Sequence, residues 1–115
     1  MVPGEAEKGA EFTQLRRGVL EFCVLALLRH GEQYGVELAQ RLGSAKALAT
    51  SEGTLYPLLS RLRRRGLVSS EWRESPAGPP RRYYSLTPAG QRTLDDFASE
   101  WTLFRQAVDQ LLEGN

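Results

Sequence analysis

Cysteine and histidine are almost missing from this chain. Cys23 and His30 are the only ones among 115 residues, so no internal disulfide forms. One cysteine and one histidine also cannot close a zinc site within one chain. A nucleophilic Cys–His pair is disfavoured too, because positions 23 and 30 lie about two helical turns, roughly 10 Å, apart. Cys23 sits inside the apolar run VLEFCVLALL, where a buried, inert thiol is expected. No apolar run reaches the ~20 residues of a membrane span. The opening MVPGEAEKGAEF is polar and acidic, without the basic-then-apolar order of a signal peptide. A cytoplasmic protein is therefore expected. The sequence has no phosphate loop and no Ser/His/Asp set, so neither an enzyme nor a cofactor is expected.

What remains is ordinary in bulk and uneven in detail. Apolar content is 41% and charged content 25%, both typical of a globular domain. The formal net charge is only +1. Yet residues 61–92 hold eight arginines against Glu71 and Glu74, a net +6, while the flanks on both sides are negative. A localised basic surface of this kind is the footprint of a nucleic-acid binder.

The stretch SEGTLYPLLSRLRRRGLV, residues 51–68, puts a leucine stripe beside Arg61, Arg63, Arg64 and Arg65. Leu55, Leu58, Leu59 and Leu62 repeat at three and four, which predicts a helix. Ser51 is placed to cap it, Glu52 suits its positive end, and Gly66 stops it. Pro57 requires that this helix start late or bend. Four arginines at ~100° per residue cannot share one face, so about two are expected to reach outward.

Two helices are predicted upstream. One, from Leu15 to Arg29, is apolar almost all round and hence buried on several sides. The other runs from about Tyr34 to Leu42. Residues 1–12 read as a loose arm. Downstream the period changes to two: residues 67–73 and RRYYSL (81–86) predict a hairpin. The intervening ESPAGPP, residues 74–80, predicts a turn or mobile loop. Thr87-Pro88 opens a last helix to about Leu112. Three helices, a hairpin and a long helix make a mainly α winged helix-turn-helix with a two-stranded wing (13–87). A C-terminal dimerisation helix (88–115) follows.

Three pieces of the chain, in this order and spacing, resemble the PadR family of bacterial transcription regulators. They are LRRGVLEFCVLALLRHGEQYGVEL, SEGTLYPLLSRLRRRGLVSS and RRYYSLTPAG, within residues 15–92. The short C-terminal part resembles the family branch that ends in a single helix. The resemblance implies a dimer that represses promoters and releases them when an effector binds. The chain departs from many relatives in its arginine run and in Pro79-Pro80 at the wing.

The candidate DNA contacts follow. Ser51 and Thr54 lie at the helix start, where short polar side chains reach phosphates or base edges. Tyr56, which matches the family's TLYP, is a candidate to donate a hydrogen bond to a DNA phosphate, and Lys46 just upstream is a candidate phosphate contact. Arg61 and Arg64 are the arginines assigned to DNA from the run, and Arg73, Arg81 and Arg82 those from the wing. On the last helix Leu94, Phe97, Trp101, Phe104, Val108 and Leu111 form an apolar stripe too long for three short helices to cover. A second copy is its expected cover. By resemblance, Trp101 in SEWTLFRQ is a candidate to bind a planar aromatic effector, with Phe22 and Glu21 bordering the same space. Arg105, one turn away, favours a neutral or anionic compound over a cation. The reading is a homodimeric, ligand-responsive repressor of double-stranded DNA at a near-palindromic operator. The alternative is a protein-docking winged helix, which has no need of the +6 segment.

Overall fold

The structure is a computed structural model that describes residues 3–114, and the side chains of residues 13–114. The arm expected to be loose over residues 1–12 is instead helical from Pro3 onward, as the start of α1, and the side chains of residues 1–12 lie outside those described. The order is α1 (Pro3–Leu28), β1 (Gln33–Tyr34), α2 (Gly35–Gly43), a 3-10 turn (Lys46–Leu48), α3 (Glu52–Arg64), β2 (Val68–Ser75), β3 (Gly78–Leu86) and α4 (Pro88–Glu113). This is a winged helix, with β2 and β3 as the wing.

The core is a leucine cluster. Leu20, Val24, Leu25 and Leu28 of α1 meet Leu38 and Leu42 of α2, the full Leu55–Leu58–Leu59–Leu62 stripe of α3, and Leu94 of α4. Each such side chain contributes about 1.5–3 kcal/mol on full burial. Cys23 is half-buried, and that burial raises its thiol pKa above the ordinary value.

Local chemistry sets the ends of α3. The Ser51 hydroxyl accepts from the Thr54 amide at 3.2 Å. At the other end Gly66 has φ +75°. The Leu67 amide donates to the Leu62 carbonyl and the Gly66 amide to Arg63, both at 3.0 Å. This is the Schellman closure that a left-handed glycine permits, with Leu62 and Leu67 both buried beside it. The helix starts at Glu52, not late, so Pro57 falls in its second turn. The amide hydrogen that Pro57 lacks is the one that would have reached the Gly53 carbonyl.

The sheet differs from the expected hairpin in two ways. It has three strands in the order β1-β3-β2, because Gln33 and Tyr34 pair with Tyr84 and Tyr83. Two residues between glycine-containing turns carry no strand period to read. ESPAGPP, moreover, is mostly strand: Ser75 pairs with Gly78, an irregularity intervenes between Arg73 and Ser75, and only Pro76 and Ala77 form the turn. Pro79 and Pro80 are tolerated because the short β1 ends before them, leaving that stretch of β3 with an open edge.

Thr87 joins the two halves of the fold. Its hydroxyl donates to the Gly66 carbonyl at 2.7 Å and accepts from the Gly90 amide at 3.0 Å. Gly90 is pressed against the backbone just before β2, and a Cβ there would lie 2.0 Å from the Leu67 carbonyl oxygen. Gly90→Ala should therefore lower stability by about 1–3 kcal/mol, the cost of overpacking against a backbone that cannot step aside. Urea unfolding should show a lower midpoint at unchanged slope. A midpoint equal to wild type would mean that α4 is not seated this closely.

Candidate nucleic-acid interface

The start of α3 is exposed. Ser51, Thr54 and Glu52 all face solvent, and the Ser51 and Thr54 hydroxyls lie 3.2 Å apart. Lys46 is exposed on the 3-10 turn that leads to this corner. Tyr56 turns from α3 toward α2, where a Cβ on Gly35 would come within 2.7 Å of its hydroxyl oxygen. Only glycine at 35 leaves that ring its place. Burial first, then the charge of Glu52, raises the Tyr56 pKa, so the phenol stays protonated and able to donate.

The arginines divide into held and unheld. Arg61 donates to Glu21 at 2.8 Å, and Arg65 reaches the other oxygen of the same carboxylate at 3.2 Å. Arg61 thus faces α1, and its expected place at DNA is already occupied by an internal partner. Glu21 in turn is spent on α3 rather than on the space beside Trp101. Arg73 lies between Glu32 and Glu71, 2.7 Å from one Glu32 oxygen, and 4.9 Å from the centre of the Tyr83 ring. The hydrogen bond from Arg73 holds the Glu32 carboxyl below its ordinary range, and both acids push the Arg73 pKa up. Arg73 too is a bound cation. Glu32 escaped the sequence reading because it is 41 residues away in the chain.

Arg64, Arg81 and Arg82 have no carboxylate partner among the described residues. Arg64 is exposed on α3. Arg81 lies over the Tyr34 ring at 4.7 Å and Arg82 over the Trp72 ring at 4.9 Å, contacts that orient a guanidinium without neutralising it. The Nε of Arg82 is buried and makes no hydrogen bond. Between the wing and α2–α3 runs a cleft of about 450 Å³ walled by Val36, Tyr56, Trp72, Arg82 and Tyr84. Of the adjacent wing tyrosines, Tyr84 is buried and Tyr83 half-buried.

A second groove lies at the other end of the molecule. Phe22 stacks on Phe97 with ring centres 3.9 Å apart and planes within 5°. Trp101 follows at 5.4 Å from Phe97, and Phe104 at 6.3 Å from Trp101. These rings border a groove of about 420 Å³ with Leu15 and Glu100. Arg105 does not line it and instead pairs with Asp109 at 3.5 Å. Among the described residues the charge at the groove is therefore the acid Glu100, the reverse of the expectation drawn from Arg105. Of the expected stripe, Leu94 belongs to the core, and Phe97 and Trp101 are partly covered. Phe104 is 62% exposed and Leu111 78%, with Val108 also exposed.

Residues 24–96 match the transcriptional regulator PadR-like family, a span that runs from α1 through the wing into α4. The chain belongs to the PadR family. Regulators of this family bind DNA, and this PadR protein has a wing with two arginines and an exposed start to α3. It is 37% identical over 83 residues to a transcriptional regulator of Mycobacterium tuberculosis, covering 72% of this chain and 76% of that one. A PadR family regulator from Eggerthella lenta has a solved structure similar to it, at TM-score 0.80 and 35% identity over 96% of both chains. A PadR-like regulator from Bacillus cereus gives TM-score 0.77 at 36% identity, over 89% of this chain and 99% of the other. Among the described residues no helix is long and apolar enough to cross a membrane.

Proposed function

We propose that this PadR protein is a homodimeric repressor that binds a near-palindromic operator in double-stranded DNA and answers to a planar ligand. In this reading the exposed start of α3, with Ser51 and Thr54, reads the major groove, and the wing lies along the neighbouring minor groove. Tyr56, Lys46, Arg64, Arg81 and Arg82 supply backbone contacts. Arg61 and Arg73 serve as braces instead, because their charges are already met by Glu21, Glu32 and Glu71. The observation that carries the proposal is the pair Arg81 and Arg82, held over aromatic rings with no acid paired to them among the described residues. A protein-docking wing gives no reason to keep those charges free.

The dimer seam is assigned to α4. Phe104, Val108, Leu111 and Leu112 are exposed in the single chain, and a two-fold copy is the economical cover. The same packing sets the Trp101 groove at or beside the seam, open to a flat ring system. Glu100 at its border favours a cationic planar compound over the neutral or anionic one suggested by sequence.

Binding to duplex DNA should weaken with salt at a slope of about −0.9 per neutralised phosphate. Replacing Arg81 and Arg82 with alanine should lower affinity for every sequence and flatten that slope by up to roughly two phosphates. A salt-independent wild type would refute DNA binding.

The seam has its own measurement. Phe104→Glu with Leu111→Glu alters exposed side chains only, so the chain should still fold. Sedimentation should show a monomer, and affinity for a full operator should fall at least tenfold. Persistence of the dimer would place the seam on another element.

The ligand groove is tested with proflavine, a planar cationic dye, in the absence of DNA. Wild type should bind it in the micromolar range with quenching of tryptophan emission, and Trp101→Ala at least tenfold more weakly. Equal affinity in both would remove Trp101 from the ligand site.

A further inference from the structure

The cleft at the base of the wing has a composition that its own fold does not use up. Its walls are apolar: Val36 from α2, Tyr56 from α3, and Trp72 and Tyr84 from the wing. Its charges among the described residues are Arg81 and Arg82, with no acid in the lining. Trp72 is 63% exposed, a large ring left on a strand whose neighbours Glu71 and Arg73 pair with each other. Trp72 and Arg82 are cross-strand partners, and the guanidinium sits 4.9 Å from the ring centre. The Nε of Arg82 is buried without a hydrogen-bond partner, so that one N–H is shielded with no acceptor in return.

A site with apolar rings and uncompensated guanidinium groups suits a ligand that is itself part apolar and part anionic. The deoxyribose–phosphate unit of a DNA strand has both: C–H faces on the sugar and a full charge on the phosphate. The cleft is also continuous with the start of α3, since Tyr56 is two residues past Thr54 and forms the facing wall. A strand that ran from the start of α3 to the wing would pass over it. We infer that this cleft seats one sugar–phosphate unit of the bound DNA, with the exposed ring of Trp72 against the sugar and Arg82 on the phosphate. Trp72 then has two tasks. It supplies contact area, and it fixes Arg82 by the ring stack so that the guanidinium reaches the phosphate already oriented. The inference rests on the proposed DNA binding and assigns a residue to it that neither charge nor hydrogen-bonding capacity would nominate. The protonated Tyr56 hydroxyl on the opposite wall is available to donate to the same phosphate.

The test uses the full-length protein and a duplex it retains from genomic fragments. Trp72→Ala should lower affinity about three- to tenfold, the range for losing one exposed cation–π stack and its contact area. Trp72→Phe should recover most of that loss, because the smaller ring still covers the guanidinium. Replacing backbone linkages one at a time with neutral methylphosphonates should identify one linkage that matters to wild type. That linkage should lose its effect in both Trp72→Ala and Arg82→Ala, a result that a general loosening of the wing would not produce. If Trp72→Ala keeps wild-type affinity while Arg82→Ala is weakened, the cleft is not the seat, although DNA binding stands. If Trp72→Ala remains fully sensitive at the linkage that Arg82→Ala ignores, Trp72 does not act through Arg82 and the inference fails. If wild type shows no salt-dependent duplex binding, the proposed function fails with it.

Discussion

Burial of one leucine stripe orients everything else on α3. Leu55, Leu58, Leu59 and Leu62 are each 3% exposed or less, and together they contribute on the order of 6–12 kcal/mol. No single polar contact on the helix competes with that sum, so the stripe fixes the rotation. At ~100° per residue the remaining directions follow. Tyr56 turns to the wing cleft, Arg61 and Arg65 turn to α1, and Gly53, Pro57 and Arg64 point outward. The outward face is short of side chains near its start, which lets another backbone come close. The rotation, set by apolar residues alone, thus decides which polar residues are offered to a partner.

Acids then sort the arginines. The segment that is +6 in sequence is less basic in three dimensions, because Glu21 and Glu32 arrive from outside it to meet Arg61, Arg65 and Arg73. These pairs are partly exposed and each is worth little to stability. Their effect is on placement: they occupy Arg61 and Arg65 on the α1 side of α3 and Arg73 on β2, and leave Arg64, Arg81 and Arg82 as charges without a carboxylate among the described residues. A linear charge count cannot show this, since the pairs span 40 to 44 positions.

The periodic parts of the fold were legible for the same reason that they are stable. A leucine stripe, Ser51, Gly66 and Thr87-Pro88 each act within one or two helical turns, and all four took their expected roles. The misses lie where the deciding partner is remote. β1 exists only because Tyr83 and Tyr84 stand beside Gln33 and Tyr34. ESPAGPP pairs as strand because β2 and β3 extend the ladder past the point where proline normally ends it. Among candidate site residues, Ser51, Thr54, Arg81 and Arg82 stand exposed or unpaired, while Arg61 and Arg73 are taken by distant acids. Trp72 was passed over because strand periodicity says which residues alternate, not that one aromatic on the strand will remain uncovered.

The two ends of the molecule share α1, and its geometry ties them. Glu21 and Phe22 are adjacent, so their side chains leave the helix about 100° apart. One grips Arg61 and Arg65 of α3, and the other stacks on Phe97 of α4. Arg16, further up the same helix, donates to the Ala49 carbonyl in the segment that leads into α3. A displacement of Phe22 large enough to break a 3.9 Å stack must turn or slide α1, because Leu20, Val24 and Leu25 are packed too closely to yield separately. That motion would carry Glu21 and Arg16 with it, and so act on α3 at both of its ends. For a ligand in the groove to affect DNA binding it must favour one placement of α1 over another; tight binding alone shifts nothing. Under the proposed ligand response, the rigid core between Phe22 and α3 would be the lever, and a difference in how well two α1 placements held the ligand would be the force.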